Sequence, residues 1–143
     1  MFSSRLVASA LSLSAALVLI GATGTASANT GHNSSTNSGS TGRCTSGSGG
    51  CLFWGGSATG AVWATPSSSL SVANLAGIYY ANNGTGAGEP VKNNAASAED
   101  ISSSYTFYVF YNENFSGNYD YVLPHHWGDL YYAWNNDASE WLQ

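Results

Sequence analysis

Oxygen donors cluster in two short stretches of the chain. Asn93-Asn94-Ala95-Ala96-Ser97 and Asn135-Asn136-Asp137-Ala138-Ser139 repeat one pattern, Asn-Asn-x-Ala-Ser. Amide, carbonyl and hydroxyl oxygens suit a hard cation such as calcium, which gathers about six to eight of them. The same residues equally suit a plain turn, with Asn-Asn capping it and Ser opening a single helical turn. A different chemistry is offered by His125-His126-Trp127. Neighbouring histidines on a strand point to opposite faces and cannot chelate one metal together. The stretch therefore reads as an exposed partner-binding loop, with Trp127 as the contact anchor, because Trp is enriched among binding hot spots.

Cys44 and Cys51 are the only cysteines. No second Cys or His pair stands at a zinc-site spacing, so a disulfide is the expected state in an exported chain. Closing so short a loop contributes ~2.5 kcal/mol. Catalytic patterns are absent from the sequence: there is no nucleophile elbow, no HExxH and no P-loop. Ser139, His126 and Asp129 make a nominal triad, and Glu113 with Asp120 a nominal carboxylate pair, but neither set stands out in a chain so rich in serine. The five tryptophans sit at strand-like positions that suit a core. The expectation is a protein that is not an enzyme. Asn33, Asn83 and Asn114 lie in N-x-S/T sequons that also fit ordinary turns.

The chain ends bound the problem further. Arg5, the apolar run Leu6 to Ile20 and the small residues Ala26-Ser27-Ala28 have the form of a signal peptide, residues 1–28, and point to a secreted, extracellular protein. Residues 29–50 are almost wholly Asn, Thr, Gly and Ser and are expected to form a flexible leader, with His32 solvated. The fold is then residues 51–143. Three Lys and Arg stand against eight Asp and Glu, for a formal net charge of −5. Nucleic acid and anionic membranes need a basic face, so neither is an expected partner, and a monomer is expected.

The elements that must position these residues are short. Aromatic blocks "CLFWG", "AVWAT", "GIYYA", "YTFYVFY", "NYDYVL" and "LYYAW" alternate with Gly- and Ser-rich turns, which predicts an all-β sandwich or barrel. "SSSLSVANL" and "DASEW" are each expected to make one helical turn. Pro66 and Pro124 fall just past a strand, where they spoil no ladder. Phe53-Trp54 precedes Gly60 as Phe110-Tyr111 precedes Gly117, with six residues between each Phe and its glycine. Each such unit ends in an Asn-Asn-x-Ala-Ser stretch, so the domain reads as a duplication. The first unit is longer, mostly through "ANNGTGAGEP".

An aromatic, six residues and a glycine, followed by a closing (Asn/Asp)-(Asn/Asp)-x-x-(Ser/Thr)-Ser, resembles the βγ-crystallin family. The resemblance covers residues 51–143 and implies an all-β, βγ-crystallin-like Greek-key sandwich of two motifs. Phe53, Phe110, Trp63 and Tyr119 or their neighbours are expected between its sheets. The final Ser of the signature is replaced by Ala98 in one copy and Glu140 in the other. Within the family, a small secreted domain with an N-terminal cysteine pair is most similar to the streptomycete metalloproteinase-inhibitor group. That group presents its reactive segment from a disulfide-anchored loop, whereas both cysteines here lie at the leader.

What the resemblance implies is a secreted peptidase inhibitor blocking an extracellular metallopeptidase, with loops 81–91 and 124–129 as the presenting segments. The alternative is a calcium-binding, stress- or envelope-associated protein with no peptidase target. Calcium is the implied cofactor, and Asn93, Asn94 and Ser97, with Asn135, Asn136 and Ser139, are its implied ligands. Asp137 and Glu140 are expected to make the second site the tighter one.

Overall fold

A computed structural model describes residues 28–143, and among these there is no helix. The expected signal peptide lies outside the described residues, apart from Ala28. The strands are β1 (Gly31–Asn33), β2 (Asn37–Ser38), β3 (Gly50–Gly55), β4 (Thr59–Ala64), β5 (Ser71–Val72), β6 (Ser97–Asp100), β7 (Phe107–Asn112), β8 (Ser116–Val122), β9 (His126–Asp129) and β10 (Ser139–Leu142). They form two five-stranded sheets, ordered β1-β8-β7-β10-β5 and β2-β9-β6-β3-β4. The β1–β8 pairing is parallel and the others are antiparallel.

The two halves repeat four strands each, β3 to β6 and β7 to β10, and exchange their third. β5 pairs with β10 of the second half, and β9 pairs with β6 of the first. Gly60 and Gly117 occupy equivalent places one residue inside β4 and β8, with φ of +76° and +80°. A β-carbon at Gly60 would come within 2.9 Å of the Thr85 carbonyl oxygen, so both conformation and space require glycine there.

Alternation along the strands decides which residues meet between the sheets. Leu52, Ala61, Phe107, Val109, Val122 and Leu142 are among those packed in the shared core, with Trp63 against its margin. Phe53 and Phe110 point the other way, one residue out of phase with Leu52 and Val109. Phe53 packs outside the second sheet with Cys44, Cys51 and Ala58. Phe110 joins Tyr108, Phe115 and Tyr119 on the outer face of the first. The signature aromatics thus brace their own hairpins, and their neighbours fill the core.

Residues 29–50 differ from the flexible leader expected. They supply β1 and β2, and the fold begins near Gly31 rather than Cys51. The reason is polar. Asp120 and Glu99 are fully buried and need donors. The Asp120 carboxylate accepts from Ser34 Oγ at 3.1 Å and contacts His32 Nδ1 at 3.0 Å. Glu99 accepts from Ser40 Oγ and the Thr41 backbone N–H, each at 2.7 Å. A segment too polar to make its own core is ordered as the hydrogen-bonding complement of two buried acids.

Other expectations shift as well. "SSSLSVANL" contains β5 and "DASEW" runs into β10, so neither makes a helical turn. "GIYYA" contributes only a bridge, Tyr79 to Pro90, and "LYYAW" is bend and turn. In the latter, Leu130 and Ala133 enter the core at a spacing of three, which a strand cannot deliver to one face. Pro66 and Pro124 do follow β4 and β8.

Candidate functional site

The Asn-Asn-x-Ala-Ser stretches meet at the junction of the halves. Asn93 N–H donates to the Asp137 carbonyl and Asn135 N–H to the Ala95 carbonyl, both at 2.8 Å, a reciprocal pair across the internal pseudo-twofold. Asn93 and Asn135 take φ of +64° and +53°, a conformation that Asn tolerates better than most residues. Asn94 Nδ2 donates to the Lys92 carbonyl at 3.3 Å and Asn136 Nδ2 to the Trp134 carbonyl at 2.9 Å. These amides cap their turns.

Each closing serine serves the hairpin of its own half. Ser97 Oγ donates to the Gly55 carbonyl at 2.6 Å and accepts the Ala58 N–H at 2.9 Å. Ser139 Oγ does the same with the Asn112 carbonyl at 2.6 Å and the Phe115 N–H at 3.0 Å. Both hairpins need the restraint, because Ser57, Ala58, Asn114 and Phe115 all lie at positive φ. The implied calcium ligands Ser97 and Ser139 are thus buried and engaged in turn chemistry.

Asp137 and Glu140, expected to make the second site the tighter one, lie in the interior rather than exposed beside it. Both are fully buried, and burial pushes their carboxyls up to about 7 and about 8. Asp137 Oδ1 accepts the Ala95 N–H at 2.9 Å, which partly offsets the shift. Asp100, also buried, is pushed up to about 6, and burial raises Tyr80 too. Beside the first hairpin of the second half, the Lys92 ammonium pairs with Glu113 and reaches Asn74 Oδ1 at 3.3 Å.

The loop 124–129 is largely strand. His126 to Asp129 form β9, between β2 and β6, and Trp127 packs half-buried against the Phe53 cluster. His125 is exposed at φ +56°, and His126 Nδ1 contacts the Pro124 carbonyl at 2.8 Å. Trp127 is therefore part of a packed layer rather than an exposed anchor. The inserted loop is also engaged: Thr85 accepts the Ala61 N–H at 2.7 Å, and the Asn83 amide bonds both the N–H and the carbonyl of Val62. It closes the free edge of β4, as edge strands require. The nominal triad does not assemble, since Ser139 holds its hairpin and Asp129 Oδ1 accepts the Ser57 N–H at 2.5 Å.

Two concave places stand out among the described residues. One, of about 270 Å³, lies between Thr45 and Ser46 of the disulfide loop, β4 at Val62 and Ala64, and Tyr79. The bond between Cys44 and Cys51 closes this loop. Its base is fixed by Ser48 N–H on the Thr65 carbonyl at 2.9 Å, while Thr45, Ser46 and Gly47 are exposed. The other, of about 290 Å³, is lined by Trp54, Gly56, Asn94, Ala96, Trp134 and Asn135. It brings together one amide from each Asn-Asn pair.

A cluster that the sequence did not single out is His32, Ser34 and Asp120. His32 Nδ1 contacts Asp120 Oδ1 at 3.0 Å and Ser34 Oγ at 3.2 Å, through one ring nitrogen. A nucleophile relay needs serine on the opposite nitrogen. Asp120 also accepts the Tyr131 and Ala133 N–H groups at 3.1 and 2.8 Å, so the cluster ties β1 to the loop before β10. The available signal was an acid at an inward strand position in "NYDYV". Among known proteins, no family model, no curated protein and no solved structure matches this chain.

Proposed function

We propose that the chain is a secreted βγ-crystallin-like protein that inhibits an extracellular metallopeptidase, and that the disulfide loop, residues 45–50, is the segment it presents. The exchange of β5 and β9 between two four-stranded units, with equivalent glycines and closing serines, supports the Greek-key reading. The disulfide supports an oxidising, extracellular setting.

One observation carries the inhibitor reading. The loop is exposed at Thr45, Ser46 and Gly47, yet held at both ends by the Cys44–Cys51 bond and fastened beneath by Ser48. An inhibitor gains affinity when its contact segment is ordered before binding, because the ordering cost is then absent from association. Loop 124–129 is largely built into β9, and loop 81–91 stays exposed while bonded to the edge of β4; the disulfide loop differs from both in being closed covalently.

The test is inhibition of a thermolysin-class zinc endopeptidase and related secreted peptidases on a fluorogenic peptide. Tight inhibition, weakened by Ser46→Asp without loss of melting temperature, supports the reading. No inhibition by micromolar protein across the panel overturns it.

A further inference from the structure

We propose that the cleft lined by Trp54 and Trp134 binds a neutral pyranose saccharide. Trp54 and Trp134 are 37% and 42% exposed, and both line this one cleft. Pyranose rings present C–H faces that pack on an aromatic surface and an equator of hydroxyls that seeks amides and carboxylates. The cleft is lined by both kinds of residue, the two indoles together with Asn94, Asn135 and Gly56; the Asn94 amide nitrogen is already bonded to the Pro90 and Lys92 carbonyls, so the group it offers is its oxygen. Asp129 stands at its rim, with Oδ1 at 3.4 Å from where a Gly56 β-carbon would sit.

The internal duplication makes this cleft a departure rather than a by-product of the fold. Gly56 corresponds to Glu113 in the other half, Trp134 to Lys92, and Asp129 to Asn74. There the Lys92–Glu113 ion pair fills the place, with Asn74 on the same ammonium. Here a glycine and an indole leave it open. The cleft is also stiffened from outside. A β-carbon at Gly86 of the inserted loop would overlap the Trp54 ring, so the loop lies flat against that indole and holds it.

Charge selects the ligand class. The described residues carry one Arg and one Lys; Arg43 is bound to the Ala58 and Gly60 carbonyls and Lys92 to Glu113. No basic side chain lines the cleft, and Asp129 disfavours an anion, so a neutral sugar fits where a uronic acid or phosphosugar does not.

The experiment titrates the full secreted chain with chitotriose, cellotriose and mannotriose, read by tryptophan fluorescence and calorimetry. The expected result is millimolar or tighter binding of at least one of them. Trp134→Ala and Gly56→Leu, one removing a ring and one filling the cleft, should each weaken it about tenfold or more. Trp134→Phe should restore most of it. Unchanged melting temperatures establish that the variants fold. No binding of any trisaccharide up to roughly 10 mM overturns the proposal. So does binding that survives both Trp134→Ala and Gly56→Leu.

Discussion

Glu140 sits where the first half places Ala98, and replacing it should stabilise the protein at neutral pH. It lies on β10 between Val109 and Val72, fully buried, with no hydrogen-bond partner on either carboxyl oxygen. The Thr65 hydroxyl lies close enough to favour the carboxylate but is itself unpaired, so the two are not in bonding geometry. Burial pushes the carboxyl from 4.5 up to about 8. Between those values the unfolded chain has released a proton that the folded chain keeps. Stability from this group is therefore full below pH 4.5 and is lost as pH rises toward 8. At pH 7 the loss spans about two and a half pH units at ~1.36 kcal/mol each, or roughly 3 kcal/mol. Glu140→Met should recover most of it and raise Tm by roughly 10 °C at pH 7. Glu140→Gln should flatten the pH dependence while keeping an unpaired polar group in the core, and so should not exceed wild type in acid. Thermal melts of the three proteins from pH 4 to pH 9 decide. A Glu140→Met protein less stable than wild type at pH 7, or equal pH slopes in wild type and Glu140→Gln, would refute the reasoning.

Ser97→Ala and Ser139→Ala should each cost ~1–3 kcal/mol in chemical denaturation, because each leaves a buried hairpin N–H and carbonyl without a partner; Ser→Thr at either site should cost less. Asp120→Ala should release β1, seen as fast hydrogen exchange at Ser34, with a global loss of several kcal/mol from the donors left unpaired. Glu99→Ala should expose residues 40–43 to limited proteolysis, because that carboxylate binds both Ser40 and Thr41. Calcium at 10 mM should shift Tm by less than about 2 °C, since neutral ligands put affinity in the weak range and Ser97 and Ser139 are engaged in their hairpins. A larger calcium shift would return the closing loops to the list of metal sites.

The fold class was legible because it rests on period and punctuation. Alternating aromatics, the paired glycines and the repeated Asn-Asn-x-Ala-Ser are local features, and β3, β4, β7 and β8 each overlap a block they marked, with ends one or two residues outside it. The disulfide between Cys44 and Cys51 was legible for the same reason. What could not be read was long-range. Composition described residues 29–50 by the apolar surface they lack, and had no means of showing that Asp120 and Glu99 would be buried beside them in want of donors. The phase of Phe53 against Leu52 depends on which face of β3 meets the other sheet. The cleft of Trp54 and Trp134 depends on a pseudo-twofold that brings residues far apart in sequence to one place.

The divergence between the halves says more than their likeness. Where the repeat is strict, at Gly60 and Gly117 or Ser97 and Ser139, the residues hold strained hairpins and have no chemistry to spare. Where it breaks, the halves do different things with one backbone. Ala98 and Glu140 occupy the same inward position, one filling the core and one placing an unpaired acid there at a cost in stability. Lys92 with Glu113 closes a surface that Trp134 with Gly56 leaves open. The extra length of the first half folds back on β4 and braces Trp54, so the insertion serves that same open side. The departures on this face meet at one cleft, and Trp134→Lys combined with Gly56→Glu, which rebuilds the other half's ion pair, should abolish the proposed saccharide binding while leaving the proposed peptidase inhibition, assigned to the disulfide loop, intact.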